Sequence, residues 1–370
     1  MSSLLALAIW LASGCWYRDR TEWVKEEWVL PVSALCMLPW VALFWSSAPL
    51  GQAVKFAERS HYWLFAFVAA STLKSELAVR NVMVSFITGT SIIAFILFLY
   101  FNGVIPETAY LLNFTERSYI TYSLFIVVAI LLLAFLFNAS ASLATKLPIV
   151  ALMLFLAIVI TQLKGRSAYL SLVALSPWLF VTTFGRRRLI PVLAAVFLTI
   201  VLLFSCQRVR ERIALIPKEI SLYQSGVKTS YTKGDGTQTP SSVGLRMMMW
   251  SDALKIFQSH PLLGAGTGAY QHEAHRINPV NALPHPHSSY LYIAANYGLL
   301  GLGLYGWLLV VTIKRGWRAR HQLSGHSILA FLFVIVIGSL TDTQVLSVAT
   351  GIVLGFIAGL PVPSTRVDVI

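Results

Sequence analysis

Two histidines bracket a proline at His285-Pro286-His287, directly ahead of a long apolar run that begins near Ser288. Proline fixes its own backbone and biases its predecessor toward extended geometry, so this segment sets where each imidazole points. With an ordinary pKa of about 6.5, an imidazole suits proton abstraction from a hydroxyl near neutral pH. A loop histidine standing alone would carry no such role; it gains weight from two arginines elsewhere in the chain. Arg166 sits in Lys164-Gly165-Arg166-Ser167, at a turn between two apolar runs. Its guanidinium either snorkels to lipid headgroups and closes the turn, or holds a phosphate bidentately at headgroup level. Arg246 falls in the first turn of an amphipathic helix, where a cation is mildly unfavourable and an anion is welcome. It is either a solvated surface residue or part of an anion site.

Metal chemistry finds little support in the sequence pattern. His260, His272 and His275 share one polar stretch, but His272-Glu273-Ala274-His275 places its histidines one residue too close for a zinc-protease helix. No acidic pair of the Asp-x-Asp type accompanies them. Gly264-Ala265-Gly266-Thr267-Gly268 follows no strand and reads as a turn, not a dinucleotide loop. Neither a metal nor a cofactor is expected.

These residues must be positioned by helices in a bilayer. Of 370 residues, 57% are hydrophobic and 12% charged, which excludes an ordinary soluble domain. Apolar runs of roughly 20 residues recur from Ser2–Tyr17 to Gln344–Leu360, giving about eleven or twelve spans of an all-α polytopic membrane protein. Continuous Leu-, Ala- and Phe-rich runs exclude a transmembrane barrel. Cys15, Cys36 and Cys206 lie in or beside these runs and read as packing residues.

The positive-inside rule keeps Arg186-Arg187-Arg188 and the group Lys314, Arg315, Arg318 and Arg320 in the cytoplasm. The long polar segment between them then faces the periplasm. Three regions follow: 1–206, an N-terminal transmembrane bundle; 207–287, a periplasmic loop with amphipathic helices; and 288–370, C-terminal transmembrane helices with a short cytoplasmic tail. Within the loop, Lys228–Ser242 reads as mobile. A helix capped by Ser242 carries Met247, Trp250, Leu254 and Phe257 on one face, and a second runs from Thr267 to Ile277. The net charge of +13 suits membrane lipids or an anionic lipid-linked substrate, and no nucleic-acid partner is expected.

Three local motifs resemble the O-antigen ligase family, which groups lipopolysaccharide O-antigen ligases with O-antigen polymerases and protein O-oligosaccharyltransferases. They are Gly165-Arg166-Ser167; Arg246 with Trp250 leading into His260-Pro261-Leu262-Leu263-Gly264-Ala265-Gly266; and His285-Pro286-His287-Ser288 followed by Tyr290-Leu291 and Gly298-Leu299-Leu300-Gly301. The resemblance implies a bundle related to the GT-C glycosyltransferases, set in the bacterial inner membrane under a large periplasmic loop. It implies that Arg166 and Arg246 bind the pyrophosphate of an undecaprenyl-pyrophosphate-linked glycan. His287 would help to activate an acceptor hydroxyl on lipid A core, in a metal-independent, inverting transfer. His285, Lys55, Arg59 and Arg276 are further candidates for substrate binding. Many relatives have His-Asn where this chain has His287-Ser288. Alternatives are an O-antigen polymerase extending lipid-linked repeat units, and a polysaccharide transporter or flippase, for which paired broken helices and mid-bilayer charges would be expected.

Overall fold

The computed structural model describes residues 2–18, 20–108, 119–163, 166–184, 200–201, 204–205, 207–225, 230–232, 238–279 and 283–362. The first helices are α1 (Ser2–Ser13), α2 (Val29–Val41), α3 (Leu50–Ala57) and α4 (Phe65–Thr72), with 3-10 turns at Ala42–Trp45 and Glu58–Leu64. Next come α5 (Glu76–Phe101), α6 (Tyr119–Ala139), α7 (Leu143–Gln162) and α8 (Arg166–Phe184). The polar region supplies α9 (Gln207–Gln224), strands β1 (Ser230–Thr232) and β2 (Gln238–Pro240), α10 (Ser242–Ser259) and α11 (Ala269–Ile277). The chain ends with α12 (Ser289–Arg318), α13 (Leu323–Gly338) and α14 (Val348–Ala358). This is an all-α polytopic membrane protein. Among the described residues, α5, α6, α7 and α12 are long and apolar enough to cross a bilayer.

Contacts divide the chain into two compact units. One comprises 73–212, 313–338 and 360–370. Its centre is α6, which packs against α5, α7, α8 and α13 and buries Leu124, Ile126, Leu131 and Leu132. A helix apolar all round belongs in such a place. Ser75 and Ser142 start α5 and α7 by accepting from the N–H groups of Ala78 and Thr145.

The other unit comprises 1–72, 213–312 and 339–359 and holds nearly every candidate residue. Trp28, Val32, Leu35 and Leu38 of the α2 region form a core with Tyr292, Ile293, Tyr297 and Tyr305 of α12. Helices α10 and α11 share a second core around Ala253, Ile256, Ala269 and Tyr270.

Several details differ from expectation. Ser241, not Ser242, caps α10, accepting from Gly244 N–H at 2.9 Å. Helix α11 starts at Ala269 because Gly268, at φ 72°, ends the preceding turn. The stretch 228–242 contains a short antiparallel pairing, Ser230 opposite Pro240. Helix α9 was not foreseen, because its mixed Arg, Glu and Lys face hides the helical period and Pro217 interrupts it. The marker Arg186-Arg187-Arg188 and most of the run Leu189–Cys206 lie outside the described residues.

Candidate functional site

His287 is the residue around which the site is built. It precedes α12, follows a buried Pro286, and has φ 49°, the one positive value outside glycine among the described residues. A histidine in this region is uncommon and is held there by its surroundings. Its Nδ1 lies 2.9 Å from Asp342 Oδ1. A carboxylate only accepts, so Nδ1 carries a hydrogen and donates it, an arrangement that in a neutral ring leaves the lone pair on Nε2. Ser289 ties the two segments together: its N–H donates to Ser339 O at 3.0 Å and its hydroxyl to Asp342 O at 3.4 Å. Ser288 is buried, and its hydroxyl accepts from Leu291 N–H at 3.5 Å, so it serves the start of α12.

His285 stacks edge-on against His287, with ring centroids 4.5 Å apart. Burial and then His287 push its imidazole down to about 4, Asp342 opposes this, and Arg59 adds to it. His285 is therefore neutral near pH 7. Burial alone pushes the Asp342 carboxyl up, but the hydrogen bond and charge of His287, then His285, and the Thr343 backbone N–H outweigh it. The net result holds Asp342 below the usual carboxylate range, and it is ionised at neutral pH. One ligand atom from each of His285, His287 and Asp342 lies within 4.8 Å of the others, a set able to hold a metal ion.

Arg59 joins this neighbourhood from the 3-10 turn after α3. It lines an open cleft of about 520 Å³ with Phe56, Trp63, Tyr292, Tyr297 and Tyr305. Its guanidinium lies 5.0 Å from the Phe56 ring centre and reaches Leu346 O at 3.5 Å.

The remaining candidates are placed differently. Lys55 is exposed in the last turn of α3. Arg276 is exposed and paired with Glu273 at 3.3 Å. Arg246 lies one turn into α10, donating to the Ser242 hydroxyl at 2.7 Å, while its buried Nε has no hydrogen-bond partner among the described residues. The anion expected at that helix end is partly supplied by the chain itself: the carboxylate of buried Glu219 accepts from Val243 N–H at 2.7 Å. Arg166 opens α8, in the other unit, and its side chain lies outside the described residues.

Behind the histidines, α12 is broken. Gly298, at φ 60° and ψ −154°, interrupts the helix, leaving backbone groups on both sides without helical partners. The segment 261–266 supplies them. Ala265 and Gly266 N–H groups donate to Ala295 O and Asn296 O, each at 2.9 Å. Leu299 and Leu300 N–H groups donate to Pro261 O and Leu262 O at 2.8 and 3.1 Å. A Cβ on Gly264 would lie 2.3 Å from the Asn296 carbonyl carbon, and one on Gly298 would lie 2.5 Å from Leu262. Only glycines permit this approach with positive φ. Thr267 extends the anchorage to α2, donating to Pro39 O at 2.6 Å. The two glycine-containing motifs are thus one structure.

Residues 148–306, which contain this assembly, match the family model described as O-antigen ligase. That segment is similar to O-antigen ligases. No curated protein matches the chain. The matched segment covers less than half of the chain. It contains Arg166, Arg246, Arg276, His285 and His287; Lys55, Arg59 and Asp342 lie outside it. Asp342 was missed by sequence reasoning. Its one signal is being a lone acid in Thr341-Asp342-Thr343, between two apolar runs.

Proposed function

We propose that this O-antigen ligase-type enzyme transfers a glycan from undecaprenyl pyrophosphate to a hydroxyl of lipid A core on the periplasmic face of the inner membrane. The observation that carries this reading is the His287–Asp342 pair at the head of α12, in a membrane protein whose residues 148–306 match the O-antigen ligase family model. His287 Nε2 takes the acceptor hydroxyl proton as that oxygen bonds to the anomeric carbon. The carbon–oxygen bond to pyrophosphate breaks at the same time, and the leaving group departs with the electron pair. Asp342 holds the imidazole in the required tautomer and stabilises the imidazolium that forms.

Arg246 is assigned to the pyrophosphate, offsetting the charge that grows as it leaves, the larger electrostatic task. The Nε of Arg246, without a partner among the described residues, supports its part in this role. Arg59, beside His285 at an aromatic cleft, is assigned to the donor's lipid-proximal portion. Pyrophosphate is a good leaving group, so guanidinium groups serve where other glycosyl transfers use a metal ion, and transfer should persist in chelator.

The test is transfer in vitro from a purified lipid-pyrophosphate glycan to defined core acceptors. Product on the core supports ligation. Elongation of the lipid-linked glycan alone would convert the assignment to a polymerase, and a strain lacking the gene makes the same distinction by retaining single repeat units on its core.

A further inference from the structure

The three groups that supply and orient the base also form a ligand set. His285 and His287 each offer an imidazole nitrogen and Asp342 a carboxylate oxygen, all within 4.8 Å of one another. The His287–Asp342 contact is already 2.9 Å, whereas donors around a tetrahedral ion at about 2.0–2.1 Å stand about 3.3 Å apart. Closing the set requires side-chain rotation of His285, whose ring centre lies 4.5 Å from that of His287. The buried Nδ1 of His285 has no hydrogen-bond partner among the described residues, so no hydrogen bond there competes with a ligand for that nitrogen.

We infer that His285, His287 and Asp342 bind a single zinc ion, and that zinc bound there switches the transferase off. Two imidazoles and one carboxylate with an open fourth position match zinc, while Mg²⁺ and Ca²⁺ require more oxygen donors. Inhibition follows whichever nitrogen of His287 is used. Zinc on Nε2 occupies the lone pair that accepts the acceptor's proton. Zinc on Nδ1 displaces that hydrogen, the neutral ring then carries it on Nε2, and no acceptor remains. The inhibitory half rests on the function proposed above; the binding half does not.

The experiment titrates ZnCl₂ into the full chain, free of a polyhistidine tag and held in lipid nanodiscs, by calorimetry. Co²⁺ absorption reports tetrahedral coordination. One saturable site is expected, weakened at least about tenfold in Asp342→Asn and in His285→Ala, with affinity kept in the His272→Ala/His275→Ala double variant. No saturable binding, or binding unmoved by both ligand substitutions, overturns the site. In the transfer assay, activity should fall with zinc occupancy and return on adding chelator; full activity with zinc bound overturns the inhibition. Zinc binding by a protein that transfers no glycan would unseat the proposed function and leave the site standing. Robust transfer without zinc binding would do the reverse.

Discussion

His287 and Asp342 are 55 positions apart in the chain, yet their side chains meet at 2.9 Å in a single directed hydrogen bond. Asp342→Asn should lower kcat by about a hundredfold or more with little change in KM, because an amide no longer enforces the tautomer with Nε2 free. Steady-state transfer kinetics check this. An unchanged kcat would make the pair structural.

His287→Ala should remove on the order of a hundredfold or more of the transfer rate at neutral pH. The variant's melting temperature serves as the folding control. A loss of only a few fold would demote His287 from base to positioning residue.

Arg246→Lys keeps the charge and loses the planar fork, so most of the activity should disappear. The donor KM and kcat, measured separately, check the assignment. Near-normal values for both would remove Arg246 from the pyrophosphate.

Stability should depend on pH through His285. Its imidazole is pushed down to about 4 in the folded chain, against about 6.5 when unfolded. Above about 6.5 neither state binds the proton; as pH falls from there toward about 4, the unfolded chain takes one up and the folded chain does not. Asp342, held low, acts in the same direction further down: its contribution is present above the unfolded carboxylate pKa and is lost as pH falls through the depressed one. Melting in nanodiscs should drop by a few degrees between pH 7.5 and pH 5, with a shallower slope in His285→Gln. Identical slopes would exclude His285 as the source.

Gly264→Ala should destabilise the protein by more than the roughly 1–2 kcal/mol of a left-handed residue alone, since the added Cβ meets the Asn296–Tyr297 backbone at 2.3 Å. A melting temperature matching the parent would show that segment 261–266 can move away.

The helical membrane class was legible because long apolar runs have few other solutions. The His285-Pro286-His287 segment was legible because it combines ionisable side chains with a rigid backbone. Asp342 was not, since its meaning comes from a partner far away in the chain. Arg246 was only half legible: its helix was clear from Met247, Trp250, Leu254 and Phe257, but the helix end already holds Glu219, which no local pattern signals. Arg276 looked like a phosphate ligand by charge alone, and the neighbouring Glu273 engages it.

The interruption at Gly298 has a consequence for biosynthesis. Residues 261–266 leave the ribosome before α12, so a strip of peptide groups must wait, solvated, until the later helix arrives to receive them. Before that strip docks, Ala295 and Asn296 of the new helix carry carbonyl oxygens that hydrocarbon cannot satisfy. Insertion of this helix and docking of the preceding segment therefore mature as one event, and a chain cut between them would be expected to stall in the membrane half assembled.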